Sequence, residues 1–135
     1  MKLRILAITL ITICNYGCNK YGDKEGFTEF IDSYYIKYES GDYDSIVNLG
    51  DSDFNKTTTK REYIEYINNI NNELGKHKSH SLTSWQILRE VYGNPRTIFL
   101  ARYKVIYEKG ESSEEFTLIK SDGKIKIRKY RSNRQ

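Results

Sequence analysis

The order of hydrophobic periods predicts an α+β domain, with two to three N-terminal helices packed on one face of a four-stranded antiparallel meander. Three observations carry this reading. Up to Gly75, apolar residues recur at three- and four-residue steps, the period of a helix with one buried face. From Ser81 onward they alternate, as on a strand with one face buried. Turn residues at 109–110 and 122–123 then fold the alternating stretches back on one another, and a block of helices followed by a block of strands is the α+β signature.

The elements follow in order. Asp23 offers an N-cap to a first helix whose stripe is Phe27, Phe30, Ile31, Tyr34 and Tyr38, and Gly41 ends it. A short helical turn carries Ile46, Val47 and Leu49. The clearest helix opens on a T-x-x-E capping box, Thr59 and Glu62, and buries Tyr63, Ile64, Ile67, Ile70 and Leu74 before Gly75 stops it. A first strand has Trp85, Ile87, Arg89 and Val91 on one side. The longest strand, "RTIFLARYKVIYEK", aligns Thr97, Phe99, Ala101, Tyr103, Val105 and Tyr107. Phe116 and Leu118 continue that face on the third strand. Asp122-Gly123 is a hairpin signal, and Ile125 and Ile127 alternate with Lys124, Lys126 and Arg128 on the last strand.

The chain of 135 residues is one domain in size, and its 38% hydrophobic and 30% charged residues read as globular. Its net charge of +4 is unevenly spread. Residues 21–74 hold twelve acids against five bases, and residues 75–135 fourteen bases against six acids. The two halves either neutralise each other within the fold or form opposed surfaces. The chain has no recognisable nucleic-acid-reading motif, so no nucleic-acid partner is expected.

Ahead of the domain, "MKLR" and the nine-residue apolar stretch Ile5 to Ile13 read as the start of a secretory signal peptide, since a membrane span needs ~20. "CNYGCNK" holds both cysteines of the chain. Gly17 before Cys18 resembles the lipobox of bacterial lipoproteins, although Asn15 and Tyr16 depart from its preferred residues. Cys14 competes, but bulky Ile13 stands where the residue before the cut should be small. The resemblance implies diacylglycerol on the Cys18 thiol and cleavage just before it. Residues 1–17 are then a lipoprotein-type signal peptide, 18–22 a lipidated tether, 23–131 the domain and 132–135 a basic tail. The expected location is the cell envelope, anchored in a membrane and facing outside the cytoplasm. Cleavage discards Cys14, so a Cys14–Cys18 disulfide is not expected, and no neighbouring sulfur or imidazole completes a metal site.

"ESGDYDSIVNLGDSDF", "TKREYIEYINNINNELGK", "SW", "YKVIYEKG" and "EEFTLIKSDGK" together resemble small bacterial lipoproteins of unknown function with a nuclear transport factor 2-like (cystatin-like) domain. The resemblance spans roughly residues 25–130, and departs at Ile125, where that group often has Trp. It implies a sheet curved into a cone around a long helix, with a pocket possible at the open end, and it transfers no catalytic residue.

Several residue groups carry candidate chemistry. Asp51, Asp53, Asn55 and Glu62 match positions 1, 3, 5 and 12 of a calcium loop, but Lys56 stands at the glycine position and Glu62 is claimed by the capping box. His77 and His80 read as exposed loop residues. Enzymes on the cone fold, ketosteroid isomerase among them, place an Asp or His base inside the cone. The inward set here, from Thr97 through Ile127, contains no carboxylate or imidazole. The sequence therefore predicts no catalytic residue, metal or cofactor. It offers a Tyr- and Trp-lined cleft formed by Tyr34, Tyr38, Trp85, Phe99, Tyr103 and Tyr107 for a peptide or small amphipathic ligand. It also offers a basic strand face of Lys124, Lys126 and Arg128 for anionic lipid. The functional expectation is a lipid-anchored, non-catalytic binding or accessory protein with an unknown protein or small-ligand partner. An immunity-type lipoprotein neutralising a toxin through a charged face is the alternative, and a cone-fold enzyme a third.

Overall fold

The computed structural model describes residues 20–134; the apolar run, Gly17 and Cys18 lie outside the described residues, with the readings placed on them. Four helices precede four strands: α1 (Lys20–Glu39), α2 (Tyr43–Val47), α3 (Ser52–Thr57), α4 (Lys60–Leu74), β1 (His77–Glu90), β2 (Arg96–Tyr107), β3 (Glu111–Ser121) and β4 (Lys124–Arg134). The strands form one curved, unclosed antiparallel sheet in the order β1-β2-β3-β4. Among the described residues no helix is long and apolar enough to cross a membrane.

The α+β class is as expected, and the differences in detail have local causes. Helix α1 begins at Lys20 rather than behind an Asp23 cap, so residues 20–22 of the expected tether are helical. Asp23 sits in its first turn and is drawn to the sheet, where it accepts from Arg89 Nη2 at 2.5 Å and pairs with Lys120 Nζ at 3.6 Å. The extra helix is α3. The stretch is helical because Asp51 Oδ1 accepts from the Phe54 amide at 2.8 Å and Phe54 is buried. The capping box of α4 forms as read, with Thr59 and Glu62 each accepting from the other's backbone. Strand β1 starts at His77, four residues early, and ends before Val91. Strand β4 continues to Arg134, into the expected tail, and Ser132 is buried against Ser112, their hydroxyls 2.6 Å apart.

Helix α1 packs on one face of the sheet. Phe27 stacks on Phe99 at 4.8 Å, and Tyr34 meets Phe116 edge-on at 5.2 Å. The alternation read on β2 holds, and Phe99, Ala101, Tyr103, Val105 and Tyr107 are all buried. A bulge in β4 shifts its register, so that Leu118 pairs with Ile127 but Thr117 with Lys129. The extra residue is Arg128, and beyond it Tyr130 and Ser132 take the inward places. At the bulge, Leu49–Asp51 runs along the free edge of β4: the Asp51 amide donates to Ile127 O and the Ile127 amide to Leu49 O, both at 2.8 Å. This covers part of an edge otherwise open to pairing with another chain. The β3–β4 turn places Asp122 at φ 50 and Gly123 at φ 72, the two left-handed residues of a tight hairpin.

Candidate functional site

The phase of β3 brings a carboxylate into the core. Counting back by twos from the buried Leu118 and Phe116 reaches Glu114, which is fully buried, and then Ser112. Three phenols donate to Glu114: Tyr35 to Oε2 at 2.6 Å, Tyr130 to Oε2 at 2.8 Å and Tyr107 to Oε1 at 2.5 Å. They come from α1, β4 and β2, so the glutamate ties the helix to three strands. Burial pushes its carboxyl above the ordinary value of 4.5, and the three hydroxyls pull it partly back. The same burial, with Glu114 alongside, raises Tyr35, Tyr107 and Tyr130, which therefore act as donors. A second phenol pair, Tyr34 and Tyr63, shares a hydrogen bond of 2.7 Å nearby.

The histidines overturn their reading as exposed loop residues. Both belong to β1, and both stack on the Tyr35 ring, His77 at 4.5 Å and His80 at 4.2 Å. The His77 side chain is 2% exposed. The two imidazoles join two α1 carboxylates in one chain. Glu39 Oε1 lies 2.6 Å from His77 Nδ1, His77 Nε2 lies 3.2 Å from His80 Nδ1, and His80 Nε2 lies 2.8 Å from Asp32 Oδ1. Burial lowers the His77 pKa below its ordinary 6.5, and Glu39 opposes that shift. Tyr35 thus stands between a closed carboxylate cluster and a half-exposed imidazole chain.

Beside His77 a cleft of about 710 Å³ opens between the end of α1, the start of α2, the end of α4 and the β2–β3 turn. Tyr38 donates to Asn71 Oδ1 on its wall, and Asn71 Nδ2 donates to the Tyr43 hydroxyl, each at 2.8 Å. Lys76, Lys109, Glu39 and Glu108 surround it. Two phenols, one amide, one imidazole and mixed charges suit a polar ligand with an apolar face, held by hydrogen bonds and ring contact.

The expected cleft is different. Tyr34, Phe99, Tyr103 and Tyr107 are buried in the core, because α1 rests directly on the sheet and its rings fill the space. Tyr38 alone of the six lines the cleft described above. Trp85 is half-buried, lies under Lys24 Nζ at 5.2 Å and borders a separate shallow depression. Contrary to the expected inward set, the inward phase of β3 continues two residues before Phe116 to a carboxylate, Glu114. The basic strand face is largely committed. Lys126 Nζ donates to Asn48 O at 3.0 Å, Arg128 pairs with Asp51 at 2.8 Å and Asp53 at 3.4 Å, and Lys124 is exposed at the turn. Of the calcium-loop residues, Asp51, Asp53 and Glu62 are likewise spent on Arg128, the α3 cap and the capping box. Among the described residues no cluster of three or more His, Cys, Asp or Glu is arranged to hold a metal ion.

No family model matches the chain, and no curated protein matches it. Among solved structures it is similar to Bd1075 of Bdellovibrio bacteriovorus, with 13% identity and a TM-score of 0.53 over 84% of this chain. This chain spans 41% of that protein's length, and the likeness shows the fold alone.

Proposed function

We infer that the protein is a lipid-anchored, extracytoplasmic bacterial binding module without catalytic activity, built on a nuclear transport factor 2-like cone and related to small lipoproteins of that group. One observation carries the reading: the ends of α1 have different surroundings. Its first residue, Lys20, follows the Gly17-Cys18 pair by two positions, and its last turn supplies Tyr38 and Glu39 to the cleft. An acylated Cys18 would hold the domain against a bilayer and leave the cleft at the far end of a helix about 30 Å long. Curvature of the sheet supports the cone.

The non-catalytic reading draws support from Glu114, whose two oxygens both accept from protein hydroxyls. A toxin-neutralising role through one charged face draws less support, because acids of the first half pair with bases of the second at Asp23–Arg89, Asp51–Arg128 and Asp32–His80. Radiolabelled palmitate and membrane fractionation test the anchor. Label and membrane association are expected for the wild type and for Cys14→Ser, and are expected to be lost in Cys18→Ser. Labelling that survives Cys18→Ser would refute the assignment.

A further inference from the structure

Four large apolar side chains are exposed among the described residues, and three of them belong to one hairpin end: Leu88 at 40%, Val91 at 67% and Tyr92 at 93%. Val91 and Tyr92 occupy the β1–β2 connection, followed by Gly93 at φ 76. A tyrosine so exposed beside a valine has lost the burial that normally justifies both residues.

This tip sits where the chain enters α1. Asp23, in the first turn of the helix, bonds Arg89 just before the tip and Lys120 near the β3–β4 turn. Asp23, Val91, Pro95, Lys120 and Gly123 border one depression of about 290 Å³, so the helix start and two hairpin ends share one end of the molecule. Cys18 precedes Lys20 by two residues, a reach of at most ~7 Å. The fourth exposed apolar residue, Ile36, lies thirteen positions after Asp23, about 20 Å further along α1.

We propose that the Val91–Tyr92 tip is a second membrane contact, entering the lipid interface beside the acylated Cys18 and fixing the orientation of the domain on the bilayer. The proposal rests on the anchor reading above. Its occupant is the lipid interface because the chain leading to Cys18 enters at this same end. A tyrosine beside a small aliphatic residue suits the headgroup boundary, where the ring is buried and the hydroxyl stays wet. Around the depression Asp23, Glu90 and Asp122 face Arg89, Arg96 and Lys120, so charge balances and the contact is apolar. The orientation it imposes turns the His77 cleft away from the membrane.

The test uses the mature acylated protein in vesicles of phosphatidylethanolamine and phosphatidylglycerol. With Cys14 removed and Cys18 alkylated, Tyr92→Cys supplies the free thiol for a bimane label, and Ile36→Cys provides the control. Brominated acyl chains are expected to quench the label at 92 and not at 36, and 0.5 M NaCl should leave that quenching unchanged. Val91→Ser with a label at 92 should reduce it. Intact mass reports acylation in every sample. Acylated protein whose label at 92 escapes quenching overturns the tip contact and leaves the anchor standing. Absence of the acyl mass overturns both.

Discussion

At the scale of single residues, Glu114 is the group on which the interior turns. A buried carboxyl with three phenol donors is worth more as an acceptor than as a charge. Glu114→Ala should destabilise by at least about 3 kcal/mol in a denaturant titration, since it opens a cavity and strands three hydroxyls at about 1 kcal/mol or more each. Glu114→Gln keeps the shape and removes the titration. The folded carboxyl titrates above its ordinary 4.5, so its ionisation opposes folding, and stability falls as pH rises from that value through the folded one. The glutamine variant should therefore gain on the wild type across that rise. His77 runs the other way. Its folded pKa lies below 6.5, so the stability it contributes is complete above 6.5 and is lost as pH falls towards the folded value. Glu39, His80 and, through His80, Asp32 face it from α1 and β1, and His77→Gln should flatten the acid limb of a melting-temperature profile. The Tyr103 hydroxyl is buried with no partner among the described residues. Tyr103→Phe should leave stability unchanged or raise it by about 1 kcal/mol, because it removes a desolvated group and no bond.

At the scale of elements, Asp51 joins a short helix to a distant strand. One oxygen caps α3 through the Phe54 amide, and the other accepts from Arg128 Nε on β4. Asp51→Asn keeps a capping side chain and loses the charge, so it should cost about 1.5–3 kcal/mol. Asp51→Ala loses the cap as well, and should cost about 1 kcal/mol more. Equal losses in the two variants would show that the cap contributes nothing. Faster amide exchange at Asp51 and Phe54 should accompany the larger loss. Gly50 is held to a residue without Cβ by the same packing, since an added carbon would lie 2.5 Å from the Phe54 ring. These links also mark what a sequence makes legible. The alternation of β2 was readable from Phe99 to Tyr107 because each inward residue is aliphatic or aromatic and none is charged. Glu114 was readable in principle by extending the same phase two residues beyond Phe116, but its charge argues against burial unless three donors from other elements are known. The β4 bulge at Arg128 adds a residue without any local turn signal, so the inward places of Tyr130 and Ser132 were hidden. His77 and His80 owe their placement to Tyr35, some forty residues away in the chain, which no local pattern reveals.

At the scale of the whole molecule, an acidic first half folded against a basic second half decides between two charge arrangements. Had the halves formed opposed lobes, each would repel itself, and added salt would stabilise the fold by screening that repulsion. Pairs crossing between the halves give the opposite sign. Arg89 and Lys120 bind Asp23, Arg128 binds Asp51 and Asp53, and Arg134 binds Glu73, all joining the sheet to the helical half. These pairs are partly exposed, so each contributes about 0–1 kcal/mol and remains open to screening. Unfolding stability at neutral pH should therefore fall by about 1–3 kcal/mol between 0.01 and 0.5 M NaCl, measured by urea titration at constant temperature. The loss should shrink in Asp23→Asn, which releases two pairs at once, while Glu25→Gln on the exposed side of the same turn should leave it unchanged. A rise in stability with salt would mean that self-repulsion outweighs the cross-pairs. It would return weight to a partner recognised through one charged face.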